Sequence, residues 1–215
     1  EPSGTLLDYG AGDGTFIRVV GGNFAAAVGA DLSVEHLEDC RRRFAGVPNV
    51  RFYSTAEVQS AEHTAAYAVV TCMEVLEHCT DAAVDEVLRD LCRLVKPDGT
   101  VIISVPIEIG PSFILKYVVR TIAGWRRLSD YRHYESYSIA NAVRMVFATA
   151  RTDVTRPIYG EPGAEFCSHY GFNWRRLRAR VGTSLVIERT VFSPFNVLRG
   201  WFSSQVWMVC RPPHV

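Results

Sequence analysis

The amino-acid sequence predicts an α/β fold built on a doubly wound, mainly parallel sheet of seven strands. Two observations carry this. Short apolar runs alternate with segments of helical periodicity, the pattern of strands joined by crossover helices. The first of these runs also passes into a glycine loop that opens a helix: Leu6-Leu7-Asp8-Tyr9-Gly10-Ala11-Gly12-Asp13-Gly14-Thr15-Phe16. Only after the fifth strand is the alternation interrupted.

In chain order, Thr5–Asp8 reads as a strand and Thr15–Val20 as a helix. Phe24–Asp31 is the second strand. Ser33 is placed to cap a helix reaching about Phe44, with Glu35, Glu38 and Asp39 early and Arg41, Arg42 and Arg43 late, matching the helix dipole. Pro48-Asn49 turns the chain into a third strand, Val50–Tyr53. Tyr67–Thr71 is the fourth strand. Thr80 can cap a helix from Asp81 to Val95, whose Val84, Val87, Leu88, Leu91 and Val95 fall on one face. Lys96-Pro97-Asp98-Gly99 ends that helix, and Thr100–Pro106 is apolar nearly throughout, as a strand covered on both faces must be.

Residues 107–168 exceed the length of an ordinary connection and are expected to form a helical insertion, a lid or substrate wall. They hold an apolar stretch from Phe113 to Trp125, an aromatic cluster of Tyr131, His133, Tyr134 and Tyr137, and a helical pattern from Ser138 to Ala150. The sheet pattern then resumes. Asn173 can cap a helix to Arg180, and Leu185–Phe192 and Gln205–Cys210 are the last two strands. At 215 residues the whole is expected to be one domain, 1–215.

The composition is that of a globular protein, 48% hydrophobic and 21% charged, and the 23 basic residues are balanced by 23 acidic ones. Such a balance implies no general attraction to polyanions, so no nucleic-acid partner is expected. The six cysteines show no Cys-x-x-Cys pair, which fits a reduced, cytoplasmic chain. Lys116 and Arg120 break the best apolar span, so stable membrane insertion is not expected, although that stretch can touch a membrane surface. The arginines of 41–43, and Arg175, Arg176, Arg178 and Arg180, are expected to form solvated helix faces.

The loop also suggests a ligand. Gly10, Gly12 and Gly14 let a ligand approach the backbone, and Asp31 lies about 20 residues on, where a second strand presents an acid to ribose hydroxyls. Thr15 stands where a dinucleotide fingerprint needs its third glycine, and Asp8 would repel a pyrophosphate. A ligand with a ribose and a cationic, amino-acid-like end, such as S-adenosylmethionine, suits these residues better than NAD.

Residues 6–14 resemble motif I of the class I S-adenosylmethionine-dependent methyltransferases, and Val28-Gly29-Ala30-Asp31-Leu32-Ser33 resembles the acidic segment that follows it. The resemblance covers roughly residues 4–106 and 169–210 and implies the Rossmann-like methyltransferase fold, ending in an antiparallel strand pair. The sequence begins almost at the first strand, and the resemblance implies a helical segment before motif I. By this resemblance, Asp8, Gly10, Ala11, Gly12, Gly14, Asp31, Leu32, Ala56, Glu57, Cys72 and Met73 bind the cofactor, leaving S-adenosylhomocysteine as product. The chain departs from the family at Thr55 and Ala68, where aspartates are common.

The loop Thr71-Cys72-Met73-Glu74-Val75-Leu76-Glu77-His78 resembles that of the ubiquinone-biosynthesis O-methyltransferases. It implies transfer to oxygen, or nitrogen, of a small-molecule acceptor: a phenol, quinone precursor, sugar or lipid head group. Transfer to a hydroxyl requires alignment of the nucleophile and removal of its proton. His78 and His169 are the candidates for this, with Glu74 beside them. No metal is expected, but Glu74, Glu77, His78 and His169 resemble the set found in small-RNA 3′-end 2′-O-methyltransferases, which leaves metal-assisted RNA methylation as one alternative. An S-adenosylmethionine-binding module without activity and an NAD-linked oxidoreductase are others. The sequence does not fix the oligomeric state.

Overall fold

A computed structural model describes residues 3–125, 137–161 and 165–213. The chain runs β1 (Thr5–Tyr9), α1 (Thr15–Val20), β2 (Ala26–Asp31), α2 (Val34–Arg43), β3 (Val50–Ser54), β4 (Tyr67–Met73), α3 (Asp81–Leu94) and β5 (Val95–Pro106). The insertion follows with α4 (Pro111–Trp125), α5 (Ile139–Val146) and a hairpin of β6 (Ile158–Tyr159) and β7 (Phe166–Cys167). It returns through α6 (Trp174–Ser184), β8 (Val186–Ser193) and β9 (Gln205–Arg211).

The expected seven-stranded sheet forms in the order β3-β2-β1-β4-β5-β9-β8. β3, β2, β1, β4 and β5 are parallel, and β9 runs antiparallel to both β5 and β8. The strand order reverses between β1 and β4, so the loops leaving their carboxyl ends diverge and open a crevice there, the usual ligand position in such sheets.

Alternating side chains of the strands divide the core. Leu6, Ala27, Val50 and Phe52 pack with Ile17 of α1 and Leu37 and Cys40 of α2. Leu7, Val70, Val101 and Ile103 pack with Val84, Leu88 and Leu91 of α3 and Leu177 and Val181 of α6. The three residues expected to cap helices, Ser33, Thr80 and Asn173, do so, and Ser138, expected as the first helical residue, is a fourth cap. The Ser33 hydroxyl accepts from His36 N, that of Thr80 from Ala83 N and that of Ser138 from Asn141 N, while Asn173 Oδ1 accepts from Arg175 N and Arg176 N.

Three expectations need correction. β5 begins before the turn: Val95 already pairs with Tyr67, and the register resumes at Thr100 opposite Val69 with residues 96–99 looped out between. The insertion is not wholly helical, because it carries the β6–β7 hairpin. The arginine faces are not simply solvated: Arg176 and Arg180 bridge α6 to Asp81 and Asp85 of α3, and Arg41 donates to the Phe52 carbonyl at 3.0 and 2.9 Å. Tyr131, His133, Tyr134 and the side chain of Arg120 lie outside the described residues. Tyr137 is a packing residue, stacked on Tyr170 with centroids 4.2 Å apart and accepting from Gly171 N at 2.9 Å.

Candidate active site

The glycine loop takes its shape from three left-handed residues, Gly10 (φ 86°), Gly12 (φ 52°) and Gly14 (φ 71°). Their surroundings differ. A Cβ on Gly10 would lie 2.3 Å from Val75 Cγ2, and one on Gly14 would press on Cys40, Phe44 and Phe52, whereas one on Gly12 would meet nothing within 4 Å among the described residues. Gly10 and Gly14 are therefore glycines for packing, and Gly12 is the one that faces open space.

Asp31 closes the loop from the end of β2. Its Oδ2 accepts from Gly12 N at 2.7 Å and its Oδ1 from Ser33 N at 2.8 Å. A carboxylate has about four acceptor positions, so two remain for ribose hydroxyls. Leu32 beside it is 83% exposed, an apolar surface of the kind a purine ring covers. Ala56 is exposed as well, while Glu57 is engaged locally, accepting from Ser54 N at 2.6 Å and pairing with Arg41. At the start of α1 the Thr15 N–H donates to Asp13 Oδ1 at 3.0 Å, so this helix end already carries a carboxylate and is poorly suited to a pyrophosphate.

Two of the expected cofactor residues are placed differently. Cys72 is fully buried in the core, and burial pushes its thiol well above the ordinary range; its side chain does not reach the crevice. Met73, next to it at the end of β4, is partly exposed. Asp8 is only 2% exposed and accepts from Thr71 Oγ1 at 2.7 Å. Burial raises its pKa to about 6 against the opposing effect of that hydrogen bond. Asp8 is thus an anion beneath the crevice rather than an open contact on its wall.

On the other side, β4 is followed by Glu74, whose φ of 55° is strained for a non-glycine residue. Glu74 N donates to the Ser104 carbonyl at 3.0 Å, and its Oε1 accepts from Ser104 Oγ and Gln205 Nε2 at 3.4 and 3.3 Å. β5 and β9 thus hold the side chain just past the end of β4. Glu77 is fully buried, and neither carboxylate oxygen has a hydrogen-bond donor among the described residues. Burial, and then the Glu74 carboxylate beside it, push its pKa up to about 8.

His78 and His169 meet edge to face with centroids 4.9 Å apart. His78 Nδ1 lies 3.1 Å from the Cys167 carbonyl, which can only accept, so the neutral ring carries its proton on Nδ1 and leaves Nε2 with a free lone pair. Burial lowers the pKa of His78. His169 sits in the turn before the Asn173 cap of α6, with Nδ1 3.7 Å from Glu108 Oε1. One ligating atom from each of Glu77, His78 and His169 fits within 4.8 Å of the others. Glu74, the fourth member of the set suggested by sequence, is outside this group, held by Ser104 and Gln205. The sequence also gave no sign of Glu108 or of Arg156, whose guanidinium donates to the Glu77 and Ser168 carbonyls.

Comparison with known proteins bears on the family and the fold. A family model described as a methyltransferase domain matches residues 1–147. The ubiquinone biosynthesis O-methyltransferase of Salmonella paratyphi A is 32% identical over 124 residues, which cover 54% of this chain and 50% of that one. Its counterpart in Vibrio campbellii is 39% identical over 101 residues, 46% of this chain and 42% of that one. The chain thus spans about half the length of these curated relatives. A crystal structure of a putative S-adenosylmethionine-dependent methyltransferase from Listeria monocytogenes superposes with a TM-score of 0.58 at 17% identity, covering 99% of this chain and 92% of that one, a likeness of fold. With a glycine loop closed by the acid of the second strand and a family match over more than half its length, the chain belongs to the methyltransferase-domain family.

Proposed function

We propose that this protein transfers the methyl group of S-adenosylmethionine to a hydroxyl oxygen of a small-molecule acceptor, with His78 taking the proton. The observation that carries this is the His78 Nδ1–Cys167 carbonyl bond at 3.1 Å. It commits the ring to the tautomer in which Nε2 can accept a proton, and the side chain is 44% exposed, open to an acceptor. A lowered pKa keeps the ring neutral at pH 7, the form a general base needs. The activity named for the relatives supports oxygen as the acceptor atom. Gly12, Asp31 and Leu32 would hold the nucleoside, and Asp8 would favour the ammonium end through its charge.

The test has two parts. S-adenosylhomocysteine should bind saturably in a calorimetric titration. Labelled methyl transfer should then be measured across phenols, catechols and sugars, for wild type and His78→Gln. A productive acceptor whose turnover falls at least tenfold in His78→Gln, with cofactor affinity kept, is the expected result. Undiminished turnover in that variant would remove His78 from the chemistry.

One observation favours a second reading, in which a divalent cation assists. Glu77 is a buried carboxylate without a donor, and two imidazoles lie beside it. An oxygen and nitrogens from these three residues suit Mg²⁺, Mn²⁺ or Zn²⁺. When bound there, such a cation would lower the pKa of an acceptor hydroxyl. Loss of transfer on chelation, with Mn²⁺ or Zn²⁺ raising the melting temperature of the wild type but not of Glu77→Gln, would favour this reading. If transfer then required an RNA 3′ end and fell steeply with salt, the acceptor would be nucleic acid.

A further inference from the structure

Arg156 belongs to no motif. It lies in the insertion two residues before β6, half-buried, with its guanidinium 5.3 Å from the centroid of the Phe172 ring. Its Nη2 donates both to the Glu77 carbonyl and to the Ser168 carbonyl, the latter at 2.8 Å, and Nη1 reaches the Cys79 carbonyl at 3.5 Å. Glu77 and Ser168 are the residues immediately before His78 and His169. A single nitrogen therefore ties together the peptide units that lead into both histidines, one in the β4–α3 loop and one following the insertion.

A reciprocal pair of bonds lies beside this clamp. Cys167 N donates to the His78 carbonyl at 2.7 Å, and His78 Nδ1 donates to the Cys167 carbonyl at 3.1 Å. Cys167 is held in turn by its pairing with Ile158 in the β6–β7 hairpin. A histidine in water prefers its proton on Nε2. The Cys167 carbonyl reverses that preference only while it stays in place, and that depends on the two segments remaining in register. The planar fork of an arginine can hold several carbonyls at once, whereas a lysine ammonium at the same charge has no such fixed geometry.

We propose that Arg156 is a positioning residue: by clamping the Glu77 and Ser168 carbonyls it keeps His78 in the Nδ1–H form and seats it against His169, so the histidine pair is assembled only when the insertion is docked. This rests on the reading of His78 as functional, but the spectra that decide it need neither acceptor nor cofactor.

Long-range proton–nitrogen correlation spectra of the imidazoles would be recorded for wild type, Arg156→Lys and Arg156→Ala, with His78→Gln and His169→Gln to assign the signals. The expected result is an Nδ1–H pattern for His78 in wild type. In Arg156→Lys that pattern should be lost, or mixed with Nε2–H, together with the contact signals between the two rings. The circular dichroism should stay unchanged, and S-adenosylhomocysteine affinity should stay within about twofold, because Gly12 and Asp31 are not touched. If Arg156→Ala fails to fold, Arg156→Lys alone decides. An Nδ1–H pattern that survives in folded Arg156→Lys overturns the proposal, as does its absence in wild type. Failure of wild type to bind S-adenosylhomocysteine would instead count against the proposed function and leave the clamp standing.

Discussion

Thr71 Oγ1 donates to the Asp8 carboxylate at 2.7 Å, and with it the chain holds an acid almost out of water beneath the site. Burial raises Asp8 from 3.8 to about 6, so the folded state keeps this proton when the unfolded chain has already released it. Between those two values stability falls as pH rises, and above pH 6 the cost levels off at about 3 kcal/mol. Asp8→Asn should therefore raise the melting temperature of the ligand-free protein at pH 7 by several degrees and flatten its dependence on pH between 4 and 6. The same change should weaken S-adenosylhomocysteine binding roughly tenfold, because the ammonium end loses a nearby charge. A variant that is less stable than wild type at pH 7 would show that the carboxylate is not held at a cost.

Gly10 and Gly12 share a backbone conformation but not an environment. Alanine at position 10 would drive its Cβ onto Val75 Cγ2 at 2.3 Å, whereas alanine at position 12 has open space around it. Both substitutions carry the left-handed penalty of about 1 kcal/mol. Gly10→Ala should add a packing clash and lose several kcal/mol of stability in urea unfolding. Gly12→Ala should stay folded with only the backbone penalty, yet lose most of its affinity for S-adenosylhomocysteine. Full affinity in Gly12→Ala would mean that the ligand does not pass over this residue.

Asp31 supports the loop as well as the proposed ribose contact. Asp31→Ala frees two backbone N–H groups, Gly12 and Ser33, at a cost of about 1–3 kcal/mol, and should reduce S-adenosylhomocysteine affinity by more than tenfold. Asp31→Asn keeps one acceptor oxygen and should fall between the two. Calorimetry and thermal unfolding of the three proteins would separate the effects. Equal affinities in all three would place the ribose elsewhere.

The sheet was legible because its signals are local. Ser33, Thr80 and Asn173 announce helix starts by side-chain chemistry alone, and each makes its cap. Gly12 and Asp31 were legible because a glycine loop and an acid at the next strand end keep a fixed spacing. The direction of Cys72 was not, since β4 is apolar on both faces and shows no alternation to tell core from crevice. The two-residue strands β6 and β7 are too short to leave a period. Arg156 gives no sequence signal at all: the carbonyls it gathers, at 77, 79 and 168, come together only in the folded chain.

Glu77 offers the sharpest separation between stability and function. It is fully buried, has no donor among the described residues, and its pKa is pushed up to about 8 by burial and Glu74. Because the folded value lies above the unfolded one, stability falls as pH rises from about 4.5 to about 8, by roughly 3 kcal/mol or more. Glu77→Gln removes that titration and gives the Glu74 carboxylate an amide donor, so the variant should melt higher than wild type at pH 8 and show a flatter pH profile. A carboxyl group kept at such a cost, with a second carboxylate beside it and no donor among the described residues, is expected to serve the site, and methyl transfer should fall at least tenfold in the same variant. Thermal unfolding from pH 5 to 9 beside a transfer assay would decide: a variant destabilised at every pH would show that the folded protein supplies Glu77 with a donor, and its burial would then be an ordinary structural contact.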